Sequence, residues 1–402
     1  MGGGISGLST ALSICGKMDA TILLIEKGEI GDSSKTSPFT FPDVIKQFNL
    51  SDAVLQKYTR FTYKSPTGVS ASFEYEIPAF VTINYQKMCN ILLNRVRKAG
   101  SVTVLDNVAA LDLEETRTLF STESLKLTLS NSDKISCDIL VDASGSSFFA
   151  ATKLGLKLPA LYSHPFGEFL EACKIEDPTE LCIFTGNKYG NGGGWFYPID
   201  GRTARFGFAA ITKSRTFPKD VVENNLKKAI HDFYPYNEML MGSKCKRTEF
   251  GTIPIGSLQR FVWGRILIVG DAAGQATPWY QEGIRPALEG GQLCGETIVE
   301  AYKRGSFRRK FLMKYQHIWD DKNKQSYAYA KERATSYFRN QEQWDNSVRY
   351  QASLTPREMM GIIRYCHFPR MRSSVSSRNF HSSGFAKIFR ETILKIHGKI
   401  KR

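Results

Sequence analysis

The sequence predicts an α/β fold: a Rossmann-like domain interleaved with an antiparallel β-sheet domain and followed by a helical C-terminal region. Three observations carry this. Runs that are apolar at every position, at 22–25, 139–141 and 266–269, each lead into an acid and a loop of small residues, as strands of a sheet buried on both faces do. Between them lie segments with strand alternation and turn signals. Beyond about Gly305 the pattern becomes helical and polar, passing Trp319, Tyr329 and Trp344.

At the amino terminus, Gly2, Gly4 and Gly7 stand in the spacing G-x-G-x-x-G and precede a helical run over about 8–15. Such glycines permit a tight turn, close approach of backbone to a pyrophosphate, and close helix packing. The apolar run Ile22-Leu23-Leu24-Ile25 then ends in Glu26, 19 residues after Gly7. An acceptor for ribose hydroxyls is expected about 20 residues on. That fingerprint should follow a strand, and only Met1 precedes Gly2. The expectation is a sheet lacking its central strand, as in a truncated product or one read from a misplaced initiation codon, with unpaired backbone on either side.

Residues 61–76, around Pro66-Thr67-Gly68, read as a hairpin. Residues 80–85 read as a strand entering a helix at 86–99, and 102–105 as the strand after it. A second hairpin spans 125–136, turning at Ser130-Asn131-Ser132-Asp133, and 139–145 repeats the theme of apolar run, Asp142 and small residues. From 181 to 212 several strands are expected, with Gly192-Gly193-Gly194-Trp195-Phe196-Tyr197-Pro198 before a turn at Asp200-Gly201. These form a separate antiparallel sheet that would wall a cofactor, with Trp195, Phe196 and Tyr197 as candidates for an apolar pocket or for ordinary core.

The most informative stretch is the run 266–269 with Gly270-Asp271-Ala272-Ala273-Gly274, Pro278 and Glu282-Gly283-Ile284. Ligands of parallel sheets bind beyond the carboxyl ends of the strands. Small residues there let backbone approach a large cofactor, and Asp271 offers an acceptor for sugar or polyol hydroxyls. A helix is predicted from about Ile284, with Pro286 in its first turn and its free amides facing the same place.

The 402 residues allow two or three domains, and no apolar stretch is long enough to cross a bilayer. Eight dispersed cysteines without ligand spacing read as reduced thiols of a cytoplasmic chain, and six scattered histidines suggest no metal site. The net charge of +15 is confined: residues 301–402 hold 23 Lys+Arg against 7 Asp+Glu, and the other 300 residues net −1. A neutral body with a basic tail points to a docking segment rather than to nucleic acid. After a serine-rich linker at 373–383, Phe385, Ile388, Phe389, Thr392, Ile396 and Ile400 fall at helical spacing among Lys and Arg. This is a basic amphipathic helix, suited either to an anionic membrane surface or to its own domain.

Together the motifs resemble those of FAD-dependent oxidoreductases built like p-hydroxybenzoate hydroxylase, and most closely the geranylgeranyl reductases, over roughly residues 2–305. Residues 2–8 look like that family's ADP-binding loop, Glu26 like its ribose ligand, and Asp142-Ala143-Ser144-Gly145 like its Asp-Ala-Thr-Gly. The 270–284 segment resembles the reductases' Gly-Asp-Ala-Ala-Gly…Pro…Glu-Gly-Ile. There the aspartate binds the ribityl chain and the amides after it face the flavin pyrimidine. Three departures stand out: Gly193 replaces the first aromatic of the reductases' Tyr-x-Trp-x-Phe-Pro, residues 33–41 contain no cysteine, and Tyr85 stands where an arginine is usual.

The resemblance implies an FAD-binding domain at 1–50, 84–158 and 250–305, a substrate-binding β-sheet domain at 51–83 and 159–249, a helical region at 306–372, and the linker and basic helix at 373–402. Cofactor-binding candidates are Gly2, Gly4, Ile5, Ser6, Gly7, Glu26, Lys27, Asp142, Ala143, Gly145, Gly270, Asp271, Ala272, Gly283 and Ile284. Trp195, Tyr197, Pro278 and Trp279 are candidates for the substrate pocket, and no catalytic residue is assigned. The implied reaction is hydride transfer from reduced flavin to a double bond of a prenyl-type lipid, with NAD(P)H or ferredoxin as electron donor, in the cytoplasm or peripherally at a membrane. A flavin-dependent monooxygenase or halogenase, and a non-catalytic flavoprotein, remain as alternatives.

Overall fold

The parallel strands come in two halves. In this computed structural model, which describes residues 1–32, 38–100, 102–117, 122–217, 219–336 and 340–367, Ile22–Ile25 pairs in parallel with Val102–Leu105. Leu140–Asp142 pairs in parallel with Ile266–Ile268. The latter strand is antiparallel on its other side to the short Val262–Trp263, so its fully apolar run reflects burial on both faces rather than parallel neighbours alone. Met1 and Gly2 stand between the halves. The Met1 ammonium donates to Val141 O at 2.9 Å and Met1 O accepts from Ala143 N at 2.8 Å, while Gly2 N donates to Ile25 O at 2.7 Å. The place of the expected central strand is thus spanned by two residues.

What joins the halves is helix packing. Ile5–Ile14 begins three residues earlier than the predicted run and lies against Ile284–Lys303. The two approach so closely that a Cβ at Gly291 would stand 2.5 Å from Ser6 O, and one at Gly295 2.6 Å from Ser13 Cβ. Ser9 Oγ adds a hydrogen bond to Leu288 O at 2.7 Å. Small residues on both helices therefore hold the two halves together by close contact.

The large second sheet runs in the order Lys244–Phe250, Tyr162–Glu171, Ala204–Thr212, Gly194–Pro198, Glu180–Phe184, Arg60–Lys64, Ser70–Glu74. It is not purely antiparallel, as expected, because Glu180–Phe184 and Arg60–Lys64 run parallel. Its faces divide the aromatics by the strand period of two. Phe184, Phe196, Phe206 and Phe208 pack under the helices Lys219–Asp232 and Tyr236–Leu240, which had no clear sequence signal. Tyr63, Trp195 and Tyr197 face the other way. Phe196 is consequently core, a correction to its candidacy as pocket lining.

Three further strands, Ala110–Arg117, Thr122–Leu129 and Lys134–Cys137, form a separate antiparallel sheet. The helices Arg309–Ser336, Gln341–Ala352 and Pro356–His367 close the far side. Asp345 accepts from Ser65 Oγ at 2.5 Å and Thr67 Oγ1 at 2.8 Å, tying the second of these helices to the 65–69 turn. The linker at 373–383 and the basic helix at 385–402 lie outside the described residues. Among the described residues no helix is long and apolar enough to cross a membrane.

Candidate cofactor and substrate site

A cavity of about 680 Å³ runs from the glycine loop past the carboxyl ends of the parallel strands to the aromatic face of the large sheet. At one end Gly2, Gly4, Ile5 and Ser6 line it. A Cβ at Gly2 would stand 2.2 Å from Ala143 O, and one at Gly7 only 1.9 Å from Gly2 O, so nothing larger than glycine fits the turn. The Ile5–Ile14 helix has no side-chain cap and no acid in its first turn, which leaves its amino end suited to an anion. Gly7 itself packs behind the loop and does not line the cavity.

Glu26 closes the same end. Its Oε2 accepts from Gly3 N at 2.6 Å and its Oε1 from Gly28 N at 3.2 Å. A carboxylate has lone pairs beyond these two, so it can hold the loop and still accept ribose hydroxyls. Lys27 stands opposite, 3.5 Å from Ser147 Oγ, and is the basic side chain among the lining residues. Tyr85 also lines the cavity. Its hydroxyl would lie 3.3 Å from a Gly4 Cβ, and burial pushes the phenol well above its ordinary value. A neutral group therefore stands where the resemblance expects a cation.

Ala143 and Gly145 line the cavity, but Asp142 does not. The Asp142 carboxylate is fully buried and accepts from Ser144 N at 2.9 Å and Ala150 N at 2.7 Å. Burial raises its pKa, with these hydrogen bonds opposing. It shapes the turn from behind. Gly270 and Ala272 are likewise buried outside the lining, and Gly270, at φ +69°, backs directly onto Ser6, whose Oγ would be 2.4 Å from a Cβ there.

Asp271, Gly283 and Ile284 do line the cavity, with Asp271 Oδ1 3.8 Å from where a Gly283 Cβ would stand. The loop carrying Asp271 is held by a buried network absent from the sequence reading. Gly270 N donates to Gln275 Oε1 at 2.7 Å, Gln275 Nε2 to Tyr315 Oη at 2.8 Å, and Tyr315 in turn to Ile268 O at 3.0 Å. Tyr327 donates to Gln275 O at 2.6 Å. At the loop's far end Thr277 Oγ1 donates to Glu282 O at 2.8 Å and stands 3.1 Å from His367 Nδ1. Because the threonine proton is used, His367 must donate from Nδ1, and burial holds its pKa well below the ordinary value.

The substrate end is aromatic. Trp195, Tyr197, Pro278 and Trp279 line it together with Phe39, Tyr63 and Tyr280; Tyr280 lies 5.9 Å from Tyr63 and stacks on Trp279 at 4.3 Å, centroid to centroid. The Trp195 indole lies across neighbouring strands because Gly167 and Gly207 leave room: Cβ atoms there would stand 2.9 and 2.2 Å from its Cζ2. Gly193 has a conformational reason too. At φ +76° its Cβ would meet Phe184 O at 2.8 Å, so the aromatic of the resembled motif has no room at this position.

No sequence-family model matches the chain. Digeranylgeranylglycerophospholipid reductase 2 of Methanopyrus kandleri is 29% identical over 137 residues, 34% of this chain and 34% of that protein. Reductase 1 of Methanosphaera stadtmanae is 22% identical over 304 residues, 73% of this chain and 72% of that protein. The chain spans only 34% and 41% of the length of the two M. kandleri relatives it matches. Among solved structures, a geranylgeranyl bacteriochlorophyll reductase-like protein of Thermoplasma acidophilum superposes with a TM-score of 0.76 at 17% identity, covering 88% of this chain and 90% of that one. The flavin-dependent brominase Bmp2 does so at 0.72 and 13%, covering 99% and 98%. The chain shares its fold with these two solved structures and is similar in sequence to the digeranylgeranylglycerophospholipid reductases. The split parallel sheet and the large sheet are two walls of one cavity.

Proposed function

We propose that the chain binds FAD and uses the reduced cofactor to saturate carbon–carbon double bonds of a polyprenyl or prenylated lipid. One observation carries the reading: a single cavity joins a backbone cradle that only glycine can form to an aromatic floor. The residues fit the cofactor. The 2–6 loop and the amino end of Ile5–Ile14 suit a pyrophosphate, Glu26 the ribose, Asp271 the ribityl hydroxyls, and the 283–284 backbone the flavin ring. When bound, the flavin supplies hydride chemistry. The protein's part is to orient the chain of the substrate on Tyr63, Trp195, Tyr197, Trp279 and Tyr280 and to exclude water.

A lipid substrate would be met at a membrane surface, for which the basic 385–402 segment is suited. Liposome flotation with and without residues 384–402 tests this, and equal partitioning removes it. NAD(P)H and ferredoxin are the donors to try. The decisive assay is the flavin spectrum of purified protein loaded with FAD, followed by anaerobic reduction and mass analysis of a geranylgeranyl lipid; the expected gain is one H₂ per double bond. A second reading, monooxygenase or halogenase, is favoured by the brominase likeness over nearly the whole chain. Oxygen consumption with an aromatic substrate, and no saturation, would select it.

A further inference from the structure

The reductase reading uses a proton as well as a hydride, and leaves one group on the cavity wall without a role. Glu282 stands between Gln281 and Gly283 at the amino end of Ile284–Lys303, 2% exposed. Its two oxygens differ. Oε1 accepts from Thr40 Oγ1 at 3.0 Å and from the Arg285 amide at 2.8 Å. Oε2 is buried with no hydrogen-bond partner. The Arg285 guanidinium, fully buried nearby, is paired with Glu289 at 2.7 Å, and among the described residues no cation stands within ion-pair distance of Glu282. A buried carboxylate with a bare oxygen and no direct ion pair is costly. A carboxylic acid costs less in the same geometry: the carbonyl oxygen takes both donors and the other oxygen carries a proton in place of a charge.

We propose that Glu282 is the proton donor of the reduction, a carboxylic acid kept neutral in the cavity wall that protonates one carbon of the substrate double bond. This rests on the reductase reading above. The balance is simple. A hydride from the reduced flavin forms one C–H bond; the alkene π pair takes the Oε2 proton to form the other, and the O–H bond breaks. The products are a C–C single bond, an oxidised cofactor and a Glu282 carboxylate, which regains its proton from water.

Burial pushes the Glu282 carboxyl up to about 7, against the opposing effects of Arg285 and the two hydrogen bonds, so acid and carboxylate are both within reach near neutrality. The groups around it are Thr40 from the Phe39–Thr40 strand, Asp271 beside Gly283, Arg285 and Glu289 on its own helix, Tyr327 from Arg309–Ser336, and His367 from Pro356–His367 through Thr277.

Glu282→Gln keeps the shape and the accepting oxygen but has no acidic proton. With FAD retention unchanged, saturation of a geranylgeranyl lipid should slow by roughly 100-fold or more. The wild-type rate should fall above about pH 7, a limb that the variant lacks and that Glu282→Asp restores at a shifted pH. A second readout needs neither cofactor nor substrate. Between about pH 5 and 7 the folded wild type holds a proton that the unfolded chain has released, so its urea midpoint should fall with rising pH relative to that of Glu282→Gln. Equal rates and equal pH profiles, with the wild type saturating the lipid, overturn the proton donor. Parallel midpoint curves overturn the neutral acid. A wild type that binds FAD and leaves the lipid unsaturated overturns the reductase reading, and the donor role with it, while the urea comparison still decides the protonation of Glu282.

Discussion

The glycine loop at 2–7 and the segment at 270–284 present backbone to the same cavity from two sides, yet they are rigid for different reasons. The first is reached from both half-sheets through Met1 and Gly2. Its shape comes from glycines packed at distances that exclude a Cβ. The second leaves a paired, fully buried strand and is held by side chains, Gln275, Tyr315, Tyr327 and Thr277, that reach it from beyond the loop. One cradle is built by the absence of side chains, the other by their presence. The two should therefore fail differently under substitution.

The largest effect belongs to the glycine side. Gly7→Ala puts a methyl group 1.9 Å from Gly2 O, against backbone that a flexible neighbour cannot relieve. Overpacking of this kind costs about 3 kcal/mol, and FAD retention should be lost along with it. Gly28→Ala, with nothing within 4 Å of its Cβ, is the matched control and should leave thermal stability unchanged. Equal tolerance at both positions would end the contrast.

On the other side, Gln275→Ala strips the partner from the buried Gly270 amide and one from the Tyr315 hydroxyl. Leaving such groups unsatisfied costs about 2 kcal/mol, read as a lower urea midpoint with weaker FAD affinity and an otherwise intact fold. Tyr327→Phe removes the hydrogen bond to Gln275 O and the longer one accepted from Arg285 Nη2 at 3.5 Å, and should cost about 1 kcal/mol. If Gln275→Ala left stability and FAD affinity unchanged, the second cradle would not be held by these side chains.

The comparison also explains what could be read from sequence. Strands covered on both faces must be apolar throughout, so Ile22–Ile25 and Ile266–Ile268 stood out, and a backbone that admits no Cβ writes itself as glycine at 2 and 7. The Ala110–Arg117 strand was missed because its alternation is weak and it carries three acids. Gln275, Tyr315 and His367 gave no signal, since each acquires its role through a partner elsewhere in the fold; Thr277 and His367 are 90 positions apart. Asp142 is ambiguous for the same reason. An acid after an apolar run reads equally well as a ligand contact or as a turn staple, and only the burial of its oxygens separates the two.

The most gradual effect concerns pH. His367 is buried and neutral, with burial and the nearby Arg285 lowering its pKa well below 6.5. The unfolded chain binds a proton there below about pH 6.5 and the folded chain does not, so acidification destabilises, by at most about 1.4 kcal/mol per pH unit. Glu282 tilts stability the opposite way over an overlapping range, because its folded pKa is raised. The two slopes separate in a Glu282→Gln background, where the urea midpoint should fall steadily from pH 6.5 to 5. Adding His367→Gln should flatten that fall. A slope that survives the double substitution would mean that acid acts elsewhere, and that the Thr277–His367 tie is not where the second cradle yields to acid.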